Sequence, residues 1–147
     1  MKKIVFLLFM ALQLNAEEIY ATFDIEAQKS ASLAFSSGGI IEKMNVDIGS
    51  TVKKDELLAE LLNDDIKAMV EVSTVALKYA KSDYERQKKV QQHINESLFD
   101  SFAYKYDNAK VQLRYQESLL AKTYLRAPFD GVITAKRVEI GDVVSGQ

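Results

Sequence analysis

The chain has 147 residues, of which 48% are hydrophobic and 27% are charged, so its composition is that of a folded globular protein. Its net charge of −2 and sequence pI of about 5.5 show none of the basic excess of a nucleic-acid-binding protein. No cysteine is present, which excludes disulfides, thiol catalysis and thiolate metal sites. With His93 as the only histidine, one chain cannot build a histidine-based zinc or copper cluster.

The N-terminus has the pattern of a secretory signal. Two lysines follow Met1, an apolar run covers residues 4–12, and the small residue Ala16 closes the segment. The apolar run is too short to span a bilayer, which requires roughly 20 residues. We therefore predict a signal peptide at residues 1–16 and a mature protein in a bacterial periplasm, with an uncleaved anchor as the alternative because Leu14 is large for a cleavage site. Without a cysteine after the signal, a lipoprotein anchor is not expected.

The segment after the signal is predicted to hold strands. Polar and apolar residues alternate near Tyr20 to Ile25, and an apolar stretch at residues 31–35 is a second candidate strand. A stronger pattern follows, in which short β-branched runs are separated by glycine. Gly49 stands where a tight turn requires a positive φ, which glycine adopts without steric cost.

The block at residues 39–52 recurs at residues 131–144 with a constant offset and no gap. The matched positions are glycines at predicted turns or apolar residues in predicted strands. A repeat of this kind indicates two copies of one supersecondary unit, each too small to bury a core alone. The two copies are therefore predicted to pack together as a small β-sandwich. The matched pairs are Gly39 with Gly131, Ile41 with Ile133, Val46 with Val138, Ile48 with Ile140, Gly49 with Gly141 and Val52 with Val144.

Residues 62–122, between the two copies, contain neither glycine nor proline and are predicted to be helical. The one plausible break lies at residues 93–95. Two helices joined by so short a turn must run antiparallel, so the segment is predicted to form a hairpin. Each arm of about 30 residues would be roughly 45 Å long at 1.5 Å per residue. A rod of this length exceeds what the β base needs to fold, and we therefore expect it to reach a partner.

Apolar residues recur at three- and four-residue spacings in both arms and predict the seam between the helices. They are Leu62, Ile66, Met69, Ala76, Ala80, Val90 and Ile94 in the first arm, and Leu98, Phe102, Tyr106, Ala109, Leu113, Gln116 and Leu120 in the second. The run Asn63-Asp64-Asp65 is predicted to cap the start of the first helix, and Ser97 is the predicted N-cap of the second. Several tyrosines of the hairpin fit either internal packing or contacts with neighbouring copies. These are Tyr79, Tyr84, Tyr104, Tyr106 and Tyr115.

Two β half-motifs split by an antiparallel helical hairpin, behind a secretory signal, resemble the periplasmic adaptor proteins of tripartite efflux pumps, also called membrane fusion proteins. Residues 37–54 are similar to the first half of the family's lipoyl-like domain. The Arg-Ala-Pro-Phe-Asp-Gly run at residues 126–131, followed by residues 141–144, is similar to the second half. The resemblance implies an α+β fold, a lipoyl-like β-sandwich interrupted by the hairpin. Its predicted parts are the N-terminal strands and first half-motif at residues 17–61, the hairpin at residues 62–122 and an incomplete second half-motif at residues 123–147.

The hairpin turn strengthens the resemblance. Adaptors of this family carry an arginine, a leucine four residues later and a serine seven residues after that, and this trio engages the outer-membrane channel. Arg86, Val90 and Ser97 stand at the same spacing, with valine in place of leucine. The resemblance implies that Arg86 offers a forked cation to acceptors on a TolC-type channel and that Val90 supplies apolar contact. It also implies that Ser97 caps the turn and donates a hydrogen bond. Ordinary roles on the hairpin surface are the alternative for all three.

The sequence departs from the family pattern in two places. Asp55 stands where glycine often follows the Lys-Lys pair, so either the turn differs or Asp55 adopts the left-handed region. The chain also stops at Gln147, before the closing lipoyl strand, β-barrel and membrane-proximal domain through which full-length adaptors contact the inner-membrane transporter. A truncated or split adaptor is therefore expected, with an exposed edge on the second half. Self-association, up to a hexamer in the assembled pump, is a further expectation from the family.

Three other functions fit the residues less well. A lipoyl or biotinyl carrier needs a modified lysine between the two halves, where this chain has the hairpin, so no cofactor is predicted. An enzyme would need a nucleophile and base that His93 alone does not provide, so no catalytic residues are predicted. A metal-binding role in a heavy-metal efflux system would depend on Met44, Met69 and His93, which lie far apart in the sequence. The preferred hypothesis is a non-catalytic adaptor, and the sequence leaves open whether its cargo is a drug, a metal or another compound.

Overall fold

A computed structural model describes residues 28–146 of the chain. The predicted signal peptide and the predicted strand near Tyr20 to Ile25 lie outside the described residues. The helices and strands given below belong to a unit formed by residues 32–147. They are β1 (Gly39–Met44), β2 (Thr51–Val52), β3 (Leu57–Leu61), α1 (Asp64–Lys89), α2 (Glu96–Ala121), β4 (Tyr124–Arg126), β5 (Gly131–Val132) and β6 (Val143–Val144).

The strands form two antiparallel sheets that join the two halves of the sequence repeat. One sheet has the strand order β4-β3-β1-β6, and the other pairs β2 with β5. In the pairs β1 with β6 and β2 with β5, one strand comes from each half. Gly39 lies opposite Val144 and Val52 lies opposite Gly131, and the repeat offset converts one pair into the other. The predicted α+β fold, a base of two repeated copies split by a hairpin, is confirmed.

Hydrogen bonds from the turns also connect the two halves. The Gly49 amide donates to the Ile133 carbonyl at 2.8 Å, and the Gly141 amide donates to the Ile41 carbonyl at 2.9 Å. The two bonds are equivalent under the repeat, because Gly49 corresponds to Gly141 and Ile133 corresponds to Ile41. Because equivalent residues exchange the same contact in this way, the two halves are related by an approximate two-fold axis.

Two small hydrophobic clusters form the core of the base, and each takes residues from both halves. They are equivalent under the repeat, since each joins an isoleucine of one half to two valines of the other. Phe35 is buried in the first cluster, although residues 31–35 are not the strand that was predicted; its side chain joins the core without backbone pairing. The shared residues are Ile41 with Val138 and Val144 in the first cluster, and Ile133 with Val46 and Val52 in the second.

The two helices form the predicted antiparallel hairpin, which is consistent with the absence of glycine and proline from residues 62–122. Each has 26 residues and is therefore about 39 Å long, shorter than the roughly 45 Å predicted. α1 begins with two acidic residues and ends with three basic ones, an arrangement that the helix dipole favours. The predicted break falls within the connection at residues 90–95. Within residues 28–146 no helix has the length and apolar content needed to cross a membrane.

The structure confirms the predicted start of α1 at Asn63 without the predicted capping hydrogen bond, and it corrects the predicted N-cap of α2. Asn63 occupies the N-cap position of α1, but its side chain makes no capping hydrogen bond and contacts Glu60 and Thr123 instead. α2 is capped by Asn95, whose side-chain oxygen accepts a hydrogen bond from the Ser97 amide at 2.8 Å. Ser97 therefore lies inside the first turn of α2. Asparagine and serine are both favoured at N-caps, so residue type alone does not decide between neighbouring positions.

The seam of α2 follows the prediction, whereas that of α1 follows it only in part. Of the residues predicted for the α2 seam, only Leu98, at 49% exposed, lies outside the packed side of the helix. Of the residues predicted for the first seam, Met69 and Ala76 on α1 are exposed, as are Leu62 before the helix and Val90 after it, whereas Ile66 and Ala80 lie in the actual seam. The actual seam contains Ser73, which is buried, and half-buried residues at three- and four-residue spacings on either side of it. These are Ile66, Val70, Leu77, Ala80, Tyr84 and Gln87.

Candidate functional site

The far end of the hairpin carries the three residues that the resemblance assigned to channel binding. Arg86 lies in the last turn of α1, Val90 follows the end of α1, and Ser97 lies in the first turn of α2. A single 3₁₀ turn, Gln91–His93, connects the two helices. The hairpin therefore brings the three residues to one end of the rod, on the two sides of a short connection.

These three residues are accessible at the tip. The Arg86 side chain is 70% exposed, Val90 is 43% exposed and Ser97 is also exposed. The Arg86 guanidinium donates to the Asp83 carboxylate one turn earlier on α1. An exposed pair of this kind contributes only about 0.2–0.5 kcal/mol, so it orients the guanidinium without holding it firmly. A guanidinium has five N–H donors, and most of them stay available to a partner.

An aromatic cluster holds the helices together directly below the tip. The Tyr84 ring stacks on that of Tyr106, with 5.3 Å between ring centroids and 13° between planes, and its centroid lies 5.6 Å from that of Phe99. The Lys88 ammonium lies 5.9 Å from the centroid of the Tyr84 ring. Aromatic pairs of this geometry contribute about 0.5–1.5 kcal/mol beyond the area they bury. The cluster therefore fixes the separation of α1 and α2 close to Arg86.

The other end of the hairpin, its root, is joined to the base by two very short connections. Only residues 62–63 separate β3 from α1, and only residues 122–123 separate α2 from β4. Asn63 and Thr123 are each 2% exposed, and the Asn63 side-chain amide donates to the Thr123 hydroxyl at 2.8 Å. That hydroxyl donates in turn to the Leu120 carbonyl at 2.7 Å. A buried chain of hydrogen bonds therefore ties the two connections together and restrains the hairpin on the base.

Glu60 extends this buried root toward the sheet. Its side chain is 8% exposed, and its carboxylate accepts from the Lys67 ammonium at 2.9 Å and from the Asn63 amide at 3.3 Å. The Lys43 ammonium lies 3.7 Å from the same carboxylate. The hydrogen bond from Lys67 lowers the pKa of Glu60 against the opposing effect of burial, and the same bond raises the pKa of Lys67. One carboxylate thus links β1, β3 and α1 at the point where the rod leaves the base.

The Arg-Ala-Pro-Phe-Asp-Gly run at residues 126–131 packs against the turn at residues 53–56 of the first half. The Ala127 amide donates to the Glu56 carbonyl at 3.0 Å, and the Ala127 carbonyl accepts from the Asp55 amide at 2.8 Å. Ala127 itself is 2% exposed. The small side chain at this position lets the two backbones approach, and the run joins the second half to the first through these hydrogen bonds.

The charged residues of this run make two further bonds to the same turn. The Arg126 guanidinium donates to the Asp55 carbonyl at 2.8 Å, and the Asp130 carboxylate accepts from the Lys54 amide at 2.7 Å. Asp55 has a φ of 66°, so of the two alternatives expected for this turn, the left-handed conformation of Asp55 is the correct one.

The four glycines singled out in the repeat fall into two structural groups. Gly49 and Gly141 occupy turns with φ of 88° and 94°, and nothing lies within 4 Å of a Cβ added at either position. Gly39 and Gly131 are instead the first residues of β1 and β5. Only the first pair therefore requires glycine for its backbone conformation.

The candidate metal ligands are not brought together. Met44 ends β1, Met69 lies in α1 and His93 lies in the connection at the tip. Over residues 28–146, no group of three or more histidine, cysteine, aspartate or glutamate side chains is arranged to hold a metal ion.

Sequence reasoning missed the buried root. Glu60 is a carboxylate inside the apolar strand Leu57–Leu61, and Thr123 is a polar residue at the opposite end of the helical segment. Each position was visible as an exception to its local pattern. Nothing in the spacing, however, indicated that Asn63, which contacts Glu60, would meet Thr123, 60 positions later, because that contact depends on the hairpin closing.

Comparison with known proteins identifies the family. The family model described as CzcB-like, barrel-sandwich hybrid domain matches residues 29–147. The cobalt-zinc-cadmium resistance protein CzcB of Cupriavidus metallidurans is 25% identical over 134 residues, which are 80% of this chain and 26% of that protein. This chain thus spans about a quarter of the length of that relative.

Solved structures with the same architecture include efflux proteins. A candidate efflux transporter from Bacteroides eggerthii is 30% identical, with a TM-score of 0.72 over 82% of this chain and 37% of that one. A MacA-MexA chimera containing the Pseudomonas aeruginosa MexA α-hairpin domain is 24% identical and shares the fold, with a TM-score of 0.70 over 76% of this chain and 40% of that one. Because the family model covers most of the chain, the chain belongs to the CzcB-like barrel-sandwich hybrid domain family, and the resemblance to periplasmic adaptor proteins is confirmed.

Proposed function

We propose that this chain supplies the lipoyl-like base and the α-helical hairpin of a non-catalytic periplasmic adaptor in a tripartite efflux system. The observation that supports this proposal most directly is the hairpin itself. A rod of about 39 Å is rooted in a small base through two short connections, and its free end exposes Arg86, Val90 and Ser97. The fold of the base has no need for such a rod, whereas an adaptor must span a distance. In this proposal residues 1–16 direct the chain to the periplasm.

The tip is proposed to contact a TolC-type outer-membrane channel. Arg86 would offer its free N–H donors to carbonyl or carboxylate oxygens of the channel. Val90 would add apolar contact and the Ser97 hydroxyl a hydrogen bond. Tyr84 keeps the helices at a fixed spacing beneath these residues, so the three groups would meet the channel as one preformed surface.

An inner-membrane transporter is the second partner that the proposal implies. The matched relatives are longer than this chain, which covers 26% of CzcB and 37% of the Bacteroides structure. None of the described residues is assigned to the transporter contact. The function proposed for the base is to hold the hairpin, and the contact proposed for the tip is the one with the channel.

Crosslinking tests the proposal directly, because the chain has no cysteine of its own. Cysteines introduced by Arg86→Cys or Ser97→Cys should crosslink to the TolC-type channel in intact cells. Val132→Cys, at an exposed strand of the base, is the matched control and should not. Crosslinks that arise only from the base would contradict the role of the tip.

A role in a heavy-metal efflux system is the second candidate function. Its support is the similarity to the cobalt-zinc-cadmium resistance protein CzcB. In this alternative the chain would belong to the adaptor of that system and would have no independent transport role. Deletion of the gene should then lower the tolerance of the host to cobalt, zinc or cadmium salts. Unchanged metal tolerance together with increased drug sensitivity would exclude it.

A further inference from the structure

A shallow groove of about 450 Å³ runs along α2 and reaches α1 at Leu77. Its volume falls within the range of small-molecule sites, about 300–1,000 Å³. On α2 the groove extends from Asp107 to Glu117, so it lies in the middle of the rod, between the tip and the root. The residues assigned to those two regions do not line it, and the groove therefore has no role in the contacts described above.

The apolar lining of the groove forms a continuous strip. Leu77 and Leu113 are half-buried because they also pack in the seam between the helices, and Val111 between them and solvent is 52% exposed. The strip follows about three turns of α2, hence roughly 15 Å at 1.5 Å per residue. A long and narrow apolar surface of this kind matches an extended alkyl chain better than a compact ring system.

Two cations stand beside this apolar strip. Lys110 and Arg114 line the groove, are exposed, and lie one turn apart on α2, where side chains four residues apart are neighbours. Within residues 28–146 neither of them takes part in an ion pair. A carboxylate placed between them can accept hydrogen bonds from the ammonium and from the forked guanidinium together.

Carboxylates close the groove at both ends. Asp107 lies three residues before Lys110, and Glu117 lies three residues after Arg114, so the charges along the groove run acid, base, base, acid. One compact anionic group meets the two cations at the centre. A polyanion would extend to the carboxylates and be repelled, and a cationic group at either end would lie beside Lys110 or Arg114. The charge pattern therefore selects a single negative charge.

We propose that this groove binds a fatty-acid-type amphiphile, with its carboxylate between Lys110 and Arg114 and its alkyl chain along Leu77, Val111 and Leu113. One position for an anionic head and one apolar strip match a free single-chain amphiphile, whereas a membrane lipid has two chains. The inference goes beyond the proposed function, since it adds a ligand site to the rod and involves neither the channel nor the transporter.

Calorimetric titration of the full chain with dodecanoate, below the concentration at which micelles form, tests the site. Dodecanoate should bind saturably at one site. Acetate has the head without the chain, and dodecyltrimethylammonium has the chain with a cationic head, so neither should bind saturably. Dodecyl maltoside, with the same chain and a neutral head, should bind about tenfold more weakly. No saturable binding of dodecanoate, or equal affinity for all three dodecyl compounds, would overturn the proposal.

Substitutions at the groove test which residues hold the ligand. Lys110→Gln and Arg114→Gln should each weaken dodecanoate binding about threefold, and about tenfold when combined, because each removes one partner of the carboxylate. Asp107→Asn should strengthen binding about twofold, because it removes a repelling charge. Val111→Ser should weaken it by shortening the exposed apolar strip without opening the seam. Lys78→Gln, which changes an exposed lysine outside the groove, should leave the affinity unchanged.

Circular dichroism of each variant confirms that the helices are intact, so a change in affinity reports on the groove. Dodecanoate binding that is indifferent to the loss of both cations would show that the ligand lies elsewhere and would contradict the assignment.

Two other occupants of the groove give different results. Vesicles of phosphatidylglycerol present one negative charge on a two-chain lipid, and the full chain should not sediment with them. Sedimentation that is abolished by Lys110→Gln with Arg114→Gln would assign the groove to a membrane surface instead. Release of monomers from an assembly by dodecanoate would assign it to a contact between copies. All these measurements use the purified chain alone, so their outcome is independent of whether the tip crosslinks to a channel.

Discussion

Asn63 donates a hydrogen bond to Thr123 at 2.8 Å, and this contact joins the residue before α1 to the residue before β4. Both side chains are 2% exposed, so the bond lies in the protein interior, where a lost partner costs more than at the surface. The two residues enclose the whole hairpin between them. The direction in which the rod leaves the base therefore depends on a buried polar contact as well as on apolar packing.

Thr123→Val should lower the free energy of unfolding by about 1–3 kcal/mol, because it keeps the side-chain shape but leaves the buried Asn63 amide with one partner fewer. Urea denaturation measures the change. Thr74→Val is a matched control, since the Thr74 hydroxyl also donates to a helix carbonyl but is exposed. The control should change stability by no more than about 0.5 kcal/mol. Equal effects at the two sites would mean that the root is not held by this contact.

Glu60 should make the stability of the protein depend on acid pH. Its pKa in the folded chain is lowered from the ordinary value of 4.5, mainly by the hydrogen bond from Lys67, so ionised Glu60 stabilises the fold at pH values above 4.5. The contribution is lost as the pH falls through the lowered pKa of the folded state. Glu60→Gln should therefore reduce stability at neutral pH and flatten the decrease below pH 4.5, as followed by thermal unfolding.

The control for this titration is Glu117→Gln, which removes an exposed carboxylate from α2. Its unfolding curve should keep the same pH dependence as the unaltered protein. If Glu60→Gln and the unaltered protein lose stability in parallel on acidification, another group controls the acid transition.

Local sequence patterns predicted two features of this fold, the pairing of the repeated halves and the position of the helices. The constant offset between residues 39–52 and 131–144 predicted the paired halves, and the absence of glycine and proline predicted the helices. Met69 and Ala76 were assigned to the seam of α1 incorrectly because this helix also has apolar residues on its exposed side, and periodicity does not indicate which of them face the partner helix. Ser73, small and polar, is buried there, which allows the helices to approach closely.

Only part of the candidate site was predicted, because local residue spacing does not show which distant segments meet. Spacing places Arg86, Val90 and Ser97 around one turn, and a hairpin must bring them to its end. The N-cap of α2 at Asn95 depends on the backbone conformation of that one residue, and residue spacing does not indicate this conformation. Contacts between distant segments, such as that of Asn63 with Thr123, follow only once the register of the hairpin is known.

Asp55→Gly should stabilise the protein by about 0.5 kcal/mol. Asp55 has a φ of 66°, and glycine removes the strain of that conformation, although part of the gain is offset by the greater freedom of glycine in the unfolded chain. The bonds that Asp55 makes to Ala127 and Arg126 use backbone atoms and are kept. Lys54→Gly, in the same turn, should instead destabilise by about 0.5–1 kcal/mol. Denaturant midpoints that move in the same direction for both variants would contradict this assignment.

Gly49→Ala and Gly141→Ala should each destabilise the protein by about 1–2 kcal/mol, and by similar amounts. Both glycines have a positive φ and open space around an added Cβ, so the cost is backbone strain alone. Gly131→Ala serves as the comparison, because an added Cβ there meets only the Phe129 ring at 3.8 Å, an ordinary contact, and should cost less. Thermal unfolding of the three variants tests the two-fold relation of the halves, and a large difference between Gly49→Ala and Gly141→Ala would argue against it.

Tyr84→Ala should destabilise the hairpin by about 2 kcal/mol, less than a fully buried aromatic residue because Tyr84 is only half-buried. The loss removes the stack on Tyr106 just below the tip, so the ends of α1 and α2 should separate more readily. Tyr84→Phe keeps the ring and should retain the stability, while Tyr104→Ala removes a ring that is 72% exposed and should change it by at most about 0.5 kcal/mol. If the tip binds a channel as proposed, Tyr84→Ala should also weaken the crosslink from Arg86→Cys at temperatures where the protein is still folded, whereas Tyr84→Phe should not. An undiminished crosslink would show that the tip residues engage the channel without needing a fixed helix spacing.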